Sequence, residues 1–580
     1  MSTASERACE DMQAALGMGC TRVIERVAAS LGQAGPAASR FEPCMDVAQG
    51  GVLWALPALM SNGLLRHTGE HFKMREGFYG MAHIFVLLAF MALCRIKTVE
   101  RLRFSPPGEL GLLLGLDRIP EVRTLRQKIK QLVQCDLHSW GAQLSQEWMN
   151  AESEAAGILY VDGRVHVYHG RQTALPRRYV SRERLCLRGL TDYWVNDQTG
   201  RPFFAVSTPF NDGLLAMLRE EIIPRLLQDV PDQPDEQALA ENPRAHRFVI
   251  IFDREGYSPE FFKELWGQRV ACQTYRKNVQ DLWPEEDFEW RETPGPYGEI
   301  VRLKLAERGV RLSNGFWMRE IRRWGENGHQ TAVLSSDYVN AEVRIGFHMF
   351  SRWSQENFFK YMTQHFELNR FASYVLEPAD ETKTVVNPAW RALDSQIKSK
   401  ASQLNRCRVK FSQICLADEL NDAETKRFAS KKAEGREAIE TLETELAALK
   451  EERKKTERKI ELRHLSEEER FRVIAPNHRF FLDTIKMIAY RAETAMALIV
   501  RQFLARKDDM RSLLREIYSA PADLIPDESE KILTVSLHPL TNPLSNEAAR
   551  HLAEILTASE TTYPGTDLRL RFNLVSDENP

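Results

Sequence analysis

At 580 residues, with 43% hydrophobic and 27% charged side chains, the chain has the composition of an ordered globular protein. It is too long for one hydrophobic core, so three or four domains of roughly 150 residues are expected. A net charge of -3 excludes a uniformly basic nucleic-acid coat but leaves room for local basic faces. The nine cysteines stand singly, without a Cys-x-x-Cys pair or a zinc-type Cys/His spacing, which excludes a disulfide framework and a zinc finger and points to a reducing, cytoplasmic setting.

From residue 1 to about 150 the pattern is helical, broken by Pro and Gly at PAASRFEP, LPALMSNG and SPPGELG. The opening MSTASERACEDMQ has early acidic residues and no apolar stretch behind them, so no secretory signal is expected. MAHIFVLLAFMALC, from Met81 to Cys94, falls short of the roughly 20 residues that span a bilayer and reads as a buried helix, so no membrane partner is expected. In PEVRTLRQKIKQLVQ, Val122, Leu125, Ile129 and Leu132 share one face, with Arg123, Arg126, Lys128 and Lys130 mostly on the others. A solvated charged face and a DNA-contacting helix both fit this pattern.

Between Gly157 and Pro209 the period shifts toward two: GILYVDGRVHVYHG, RERLCLRG, TDYWVND and RPFFAVSTP predict three or four antiparallel strands. A helix follows in DGLLAMLREEIIPRLLQ, then a polar, Pro-rich stretch, then the compact apolar strand RFVIIFD. From about Cys272 to Asp337 short strands return, and a single strong helix is predicted over NAEVRIGFHMFSRWSQENFFKYMTQHFEL. Beyond Ala389, Ile397, Leu404, Phe411 and Ile414, and later Ile439, Leu442, Leu446, Leu449 and Ile460, recur at heptad-compatible spacing, which predicts an antiparallel helical hairpin. The last hundred residues read as helices plus two strands, KILTVSLHP and LRLRFNLV.

Three acidic residues stand at telling places: Asp162 at the end of GILYVD before an expected turn, Asp253 at the end of FVIIFD, and Glu356 within a helix. Singly, each reads as a turn former or an ordinary helical Glu. Together, acids at strand ends and on a facing helix can converge on two divalent cations about 4 Å apart.

The segments YVDGR at 160–164, IIFDREGYSPEFF at 250–262 and RWSQENFFKYM at 352–362 resemble the three catalytic blocks of DDE transposases. The resemblance is nearest to the bacterial insertion-sequence group with a D-R-E motif and a Y-R-E-K signature. Asp253, Arg254 and Glu255 match the first; Arg352 and Glu356 match the second, whereas Met349 and Thr363 replace its Tyr and Lys, and Arg164 stands where a small hydroxyl residue is usual. On one continuous helix, residues 349, 352, 356, 360 and 363 would share a stripe, so that Lys360 could supply the missing cation and join Arg352 in clamping DNA.

The resemblance implies a multidomain α+β/α chain built on a ribonuclease H-like core, in two parts at 151–271 and 338–388, with a β-rich insertion at 272–337. A helical region at 1–150 with DNA or dimer contacts, a coiled-coil-like helical hairpin at 389–470 and a mixed C-terminal region at 471–580 complete it. It further implies Asp162, Asp253 and Glu356 as catalytic ligands of two Mg²⁺ ions, replaceable by Mn²⁺, with Glu255 in support. The partners implied are double-stranded DNA, as transposon ends and target, and a second copy of the chain, in a bacterial cytoplasm at the nucleoid.

In the insertion, Trp317, Arg319, Arg322, Arg323 and Trp324 mix aromatics with cations, as a surface that stacks an extruded base and holds phosphate would; sheet packing by the Trp residues with ordinary surface charge is the competing and favoured reading. In related transposases that form a hairpin at the transposon end, an insertion-domain Trp plays such a part. His166 and His169 are read as structural. Arg177, Arg178, Arg182, Arg184 and Arg188 form either a phosphate-contacting edge or a solubilising one. A transposase-derived DNA-binding or assembly protein with an idle catalytic centre is the alternative function.

Overall fold

The computed structural model describes residues 1–13, 20–168, 175–180, 185–208, 212–279, 281–368, 376–377, 381–414, 422–466, 473–474, 476–504 and 509–575. Strand β1 (Cys44–Val47) lies in the N-terminal region expected to be all helical, ahead of helix α1 (Met81–Leu93). Helix α1 is buried from His83 to Met91 because it is apolar on every side and has no face to offer to water. On the helix Val122–Leu132, Lys128 is buried instead of solvated, its Nζ donating to the Arg75 carbonyl at 2.6 Å.

A meander follows: β2 (Ile158–Val167), β3 (Arg177–Val180), β4 (Leu185–Asn196) and β5 (Pro202–Thr208). Then come β6 (Val249–Phe252), α2 (Pro259–Gly267) and β7 (Ala271–Tyr275), and after them β8 (Glu289–Pro294), β9 (Ile300–Arg311), β10 (Trp317–Trp324) and β11 (Gln330–Ser335). Among the described residues these make one ten-stranded mixed sheet in the order β3-β4-β2-β6-β7-β11-β10-β9-β8, with β5 also on β4. Strands β2, β6 and β7 are parallel neighbours and the other pairings are antiparallel. Every residue of β6 is buried, as expected of a parallel strand covered on both faces.

Two glycines read as breaks lie inside strands. Gly163 does not begin a turn: β2 runs on to Val167 against β4, and the Tyr193 ring occupies the space where a Cβ would sit. Gly189 does not separate two strands either, because a Cβ there would come within 2.3 Å of the His166 carbonyl oxygen, so close backbone approach explains the glycine.

The single helix expected after Asn340 is two, α3 (Glu342–Phe350) and α4 (Trp353–Phe366), parted at Ser351–Arg352. Helices α5 (Pro388–Ser412) and α6 (Asp422–Lys455) run antiparallel and are bridged by Lys400–Glu445 at 2.7 Å, Arg408–Glu443 at 2.6 Å and Arg453–Asp394 at 2.6 Å. Helix α7 (Pro476–Arg501) packs on α1, on the helix Leu56–Ser61 and on β5, so the ends of the chain share one hydrophobic core with the sheet. Strands β12 (Ala522–Asp527), β13 (Ile532–Leu537) and β14 (Arg569–Leu574), with helix α8 (Pro543–Ala558), finish the chain, and β1 joins β12 to make a four-stranded sheet. Four residues give too little periodicity to announce β1, whose partner lies at the far end of the sequence. Among the described residues no helix is long and apolar enough to cross a membrane.

Candidate active site

Strands β2 and β6 pair in parallel up to Val161 and Phe252, so Asp162, where β2 runs on against β4 alone, and Asp253, just past the end of β6, are the next residues of two adjacent strands. Asp253 Oδ1 accepts from the Arg254 backbone N–H at 2.5 Å, and Asp162 Oδ1 from that of Gly163 at 2.9 Å. Between the two aspartates lies Arg352, its Nη2 at 3.7 Å from Asp162 Oδ2 and its Nη1 at 3.6 Å from Asp253 Oδ1. These separations exceed the 2.7–2.9 Å of a charge-assisted hydrogen bond. Among the described residues Arg352 Nε is buried without a hydrogen-bond partner, so the guanidinium balances the carboxylates loosely.

Asp162 keeps 25% of its side-chain surface open, yet protein packs densely around it. That burial pushes its carboxyl up to about 6; Arg352 pulls it down, while the negative charges of Asp253 and Glu356 push it further up. Tyr275, at the end of β7, is also raised, by burial first, with Arg352 opposing and Asp253 and Glu356 adding. Two independent groups thus register Asp253, Glu356 and Arg352 as neighbours, and the fold brings all three acids to one end of the sheet.

Sequence reasoning missed the residues that hold this arrangement. Gln355, wholly buried beside exposed Glu356, donates through Nε2 to the Tyr160 and Trp194 carbonyls, each at 3.2 Å, and to Asn196 Oδ1 at 3.0 Å. One amide therefore fixes the first turn of α4 to β2 and β4 directly behind Asp162. Tyr160 donates to the His348 carbonyl at 2.8 Å, which holds the end of α3 to the same strand. The Arg164 guanidinium lies 5.4 Å from the Phe359 ring centroid, linking β2 to α4. A Gln beside a Glu in a helix carries no sequence signal for such a role; its three acceptors are supplied by the sheet.

The break between α3 and α4 cuts the expected stripe. Met349 belongs to α3 and is buried with Tyr160, Val249 and Val333, and Thr363 Oγ1 donates to its own helix at Phe359 O. Lys360 remains one turn after Glu356, exposed, with no ion pair among the described residues. Arg254 is exposed with its guanidinium 5.5 Å from the Tyr275 ring, whereas Glu255 Oε1 accepts from Leu214 N at 3.2 Å and serves the local fold.

The insertion residues separate. Arg323 is exposed and lies over Phe350, next to the α3–α4 break. Trp324 packs edge-on to Phe288 at 5.1 Å. Arg322 is fully buried, bound to Glu320 at 2.7 Å, to the Asp281 carbonyl at 2.6 Å and to Gln330 at 3.1 Å, so it holds the insertion together and cannot meet phosphate. Trp317 lies at the opposite end of β10, away from the acids.

His166 is buried, its Nε2 3.0 Å from Asp192 Oδ2, where Arg479 of α7 also binds. Burial and then Arg479 push the imidazole pKa down. Burial alone would raise the Asp192 carboxyl, but Arg479 and His166 outweigh it and hold it at about 2. Arg177 of β3 faces Arg188 of β4 at the sheet edge; His169, Arg182, Arg184 and the Arg178 side chain lie outside the described residues.

Among the described residues, the trio whose ligand atoms all lie within 4.8 Å of one another is Asp46, Asp523 and His538. Hydrogen bonds account for it: Asp523 Oδ1 takes both Asp46 N and His538 Nε2 at 2.9 Å, which clasps β1 to β12. Among the described residues Asp162, Asp253 and Glu356 do not form so tight a trio.

A search of curated proteins gave no match to the chain. A sequence-family profile described as a transposase protein matches residues 17–576, from the first helices to the last strand. That match runs through the strand ends and the helix that carry the three acids, and the chain therefore belongs to this transposase family.

Proposed function

We propose that the chain is a DNA transposase of the DDE type, cutting and joining DNA at the end of β2 and β6. The observation that carries this is the placing of Asp162 and Asp253 on adjacent parallel strands with the Arg352 guanidinium between them, 3.7 and 3.6 Å away. The strand order β5-β4-β2-β6-β7, an antiparallel meander followed by two strands parallel to β2, supports a ribonuclease H-like core. The donor set fits Mg²⁺ or Mn²⁺: hard carboxylate oxygens from Asp162, Asp253 and Glu356, in a place where the negative charge is only loosely offset. Bound there, two such ions would make a water or 3′-hydroxyl nucleophilic and stabilise the leaving oxygen of a phosphodiester.

The chain's own residues do the rest. Gln355 holds Glu356 toward the strands, Arg352 keeps the carboxylates from repelling one another, and Arg254, Arg323 and Lys360 are the exposed cations placed to grip DNA phosphates. A second copy on paired ends, and the hairpin of α5 and α6 as scaffold or contact, belong to the same reading.

The test is cleavage of a plasmid carrying the DNA that flanks the gene, with Mg²⁺ or Mn²⁺. The intact protein should nick at the element ends, and Asp162→Asn, Asp253→Asn and Glu356→Gln should each abolish nicking. Activity that survives in any of the three removes that residue from the site; a wild-type protein that never cuts, and takes up no Mn²⁺ in calorimetry, overturns the reading in favour of an idle DNA-binding protein.

A further inference from the structure

At the opposite end of the sheet from the acids lies a groove of about 780 Å³ between helix α2, the β9–β10 turn and the loop after β11. Its position follows from β7: Ser336 N donates to the Cys272 carbonyl at 3.0 Å and Ser336 Oγ accepts from Cys272 N at 2.9 Å. The loop 337–340 therefore sits where β7 begins, while Asp253 follows the end of its parallel neighbour β6.

The walls combine aromatic faces with cations. Trp317 is 45% exposed and rests one side on Gly309, where a Cβ would meet the indole Nε1 at 2.6 Å. Tyr338 stands beside it, ring centroids 5.5 Å apart and planes 35° from parallel, and is pinned by donating its hydroxyl to the Trp317 carbonyl at 2.7 Å. Behind Tyr338, Trp266 meets it edge-on at 4.6 Å.

Arg319 is fully engaged, by Glu307 and by the carbonyls of Asp337 and Asn340, and serves as wall. Arg244 and Lys263 are exposed and, among the described residues, have no ion pair. Among the described residues no carboxylate side chain lines the groove. The fold thus presents a half-open indole beside two exposed cations.

We propose that this groove is a second DNA site, which holds an unpaired stretch of strand with a base stacked on Trp317 and its phosphates on Arg244 and Lys263. The inference rests on the transposase reading for the choice of nucleic acid as ligand. Within that choice the aromatic face selects an unpaired strand, since bases in an intact duplex keep their faces inside the stack. The cations supply the salt-dependent, sequence-independent part of binding.

The experiment measures binding of a fluorescent oligo-dT of about ten nucleotides to the full chain in EDTA, where no cleavage can occur. Trp317→Ala should weaken binding about tenfold, and an oligomer abasic throughout should bind the unaltered protein about as weakly as oligo-dT binds Trp317→Ala. Arg244→Glu and Lys263→Glu, both on exposed positions that the fold does not use, should each weaken binding and flatten its salt dependence. They keep the test decisive if Trp317→Ala disturbs β10. Unchanged affinity in Lys263→Glu and Arg244→Glu, or no oligo-dT binding by the unaltered protein, overturns the proposal. Metal-dependent cleavage, scored separately by its loss in Asp253→Asn, reports on the transposase reading alone, so the two can fail independently.

Discussion

Strand β2 carries two charged centres four residues apart, and they are built in opposite ways. At His166 opposite charges meet directly and are sealed from water: Asp192 meets both His166 and Arg479, and Arg479 also meets Asp483 at 3.2 Å, all of them buried. At Asp162, three acids gather at an open edge around one guanidinium that reaches two of them only at 3.6 and 3.7 Å. A buried charge is tolerated when an opposite charge meets it at hydrogen-bond distance. Like charges brought together and left under-neutralised give nothing back to the fold. The first centre therefore holds α7 to the sheet, and the second is where function is sought.

The comparison breaks most sharply through activity. Asp253→Asn or Glu356→Gln should lower metal-dependent DNA cleavage by about a thousandfold or more, the scale of losing a group that stabilises transition-state charge, with the fold intact by circular dichroism. Arg479→Ala should do the reverse. It strands Asp192 and His166 inside the protein and should cost about 3–5 kcal/mol in chemical denaturation, with cleavage per folded molecule retained.

Gln355→Leu lies between the two. Removing one amide withdraws three hydrogen bonds behind the site and should cost about 2 kcal/mol; because it moves Glu356, kcat should fall while KM for DNA holds. Lost stability with kcat unchanged per folded molecule would show that Gln355 matters only for folding.

For Asp162 the folded state binds its proton more tightly than the unfolded chain does. Its contribution to stability is therefore fully present below the ordinary aspartate range and is lost as pH rises through about 6. In EDTA, Asp162→Asn should raise stability at pH 7 by about 1–2 kcal/mol, after discount for its open quarter, and should flatten the slope between pH 4 and 6. An unchanged melting curve would mean that the carboxylates do not burden the fold and would erase the contrast with His166. The smallest effect is expected of Lys360→Ala, which should reduce the salt dependence of DNA binding by about one phosphate contact and leave stability unchanged.

Much of this was legible as pattern. The buried helix at Met81–Leu93 and the compact strand at Val249–Phe252 declare themselves through runs without polar residues, and Asp253 is marked by its place at the end of that strand. The α3–α4 break was not legible, because no Pro or Gly marks Ser351–Arg352; tertiary hydrogen bonds from Gln355 and Tyr160 fix both helices to the sheet. Arg322 and Arg323 are adjacent and alike in sequence, yet the pleat turns one into the insertion's interior and leaves the other outside. Trp317 and Trp324 read as one aromatic-basic patch, but they sit at opposite ends of a strand eight residues long.

By itself the sequence determined most of the strands of the large sheet and that Asp253 ends one of them, since periodicity and residue chemistry act over a few neighbours. Which acids meet, that an arginine lies between two of them, that a glutamine fixes the helix behind them, and that Trp317 faces a groove away from them were decided only by the tertiary structure. Those facts depend on strand order and on register between segments far apart in the chain, such as β2 and β6, and no local pattern encodes that distance.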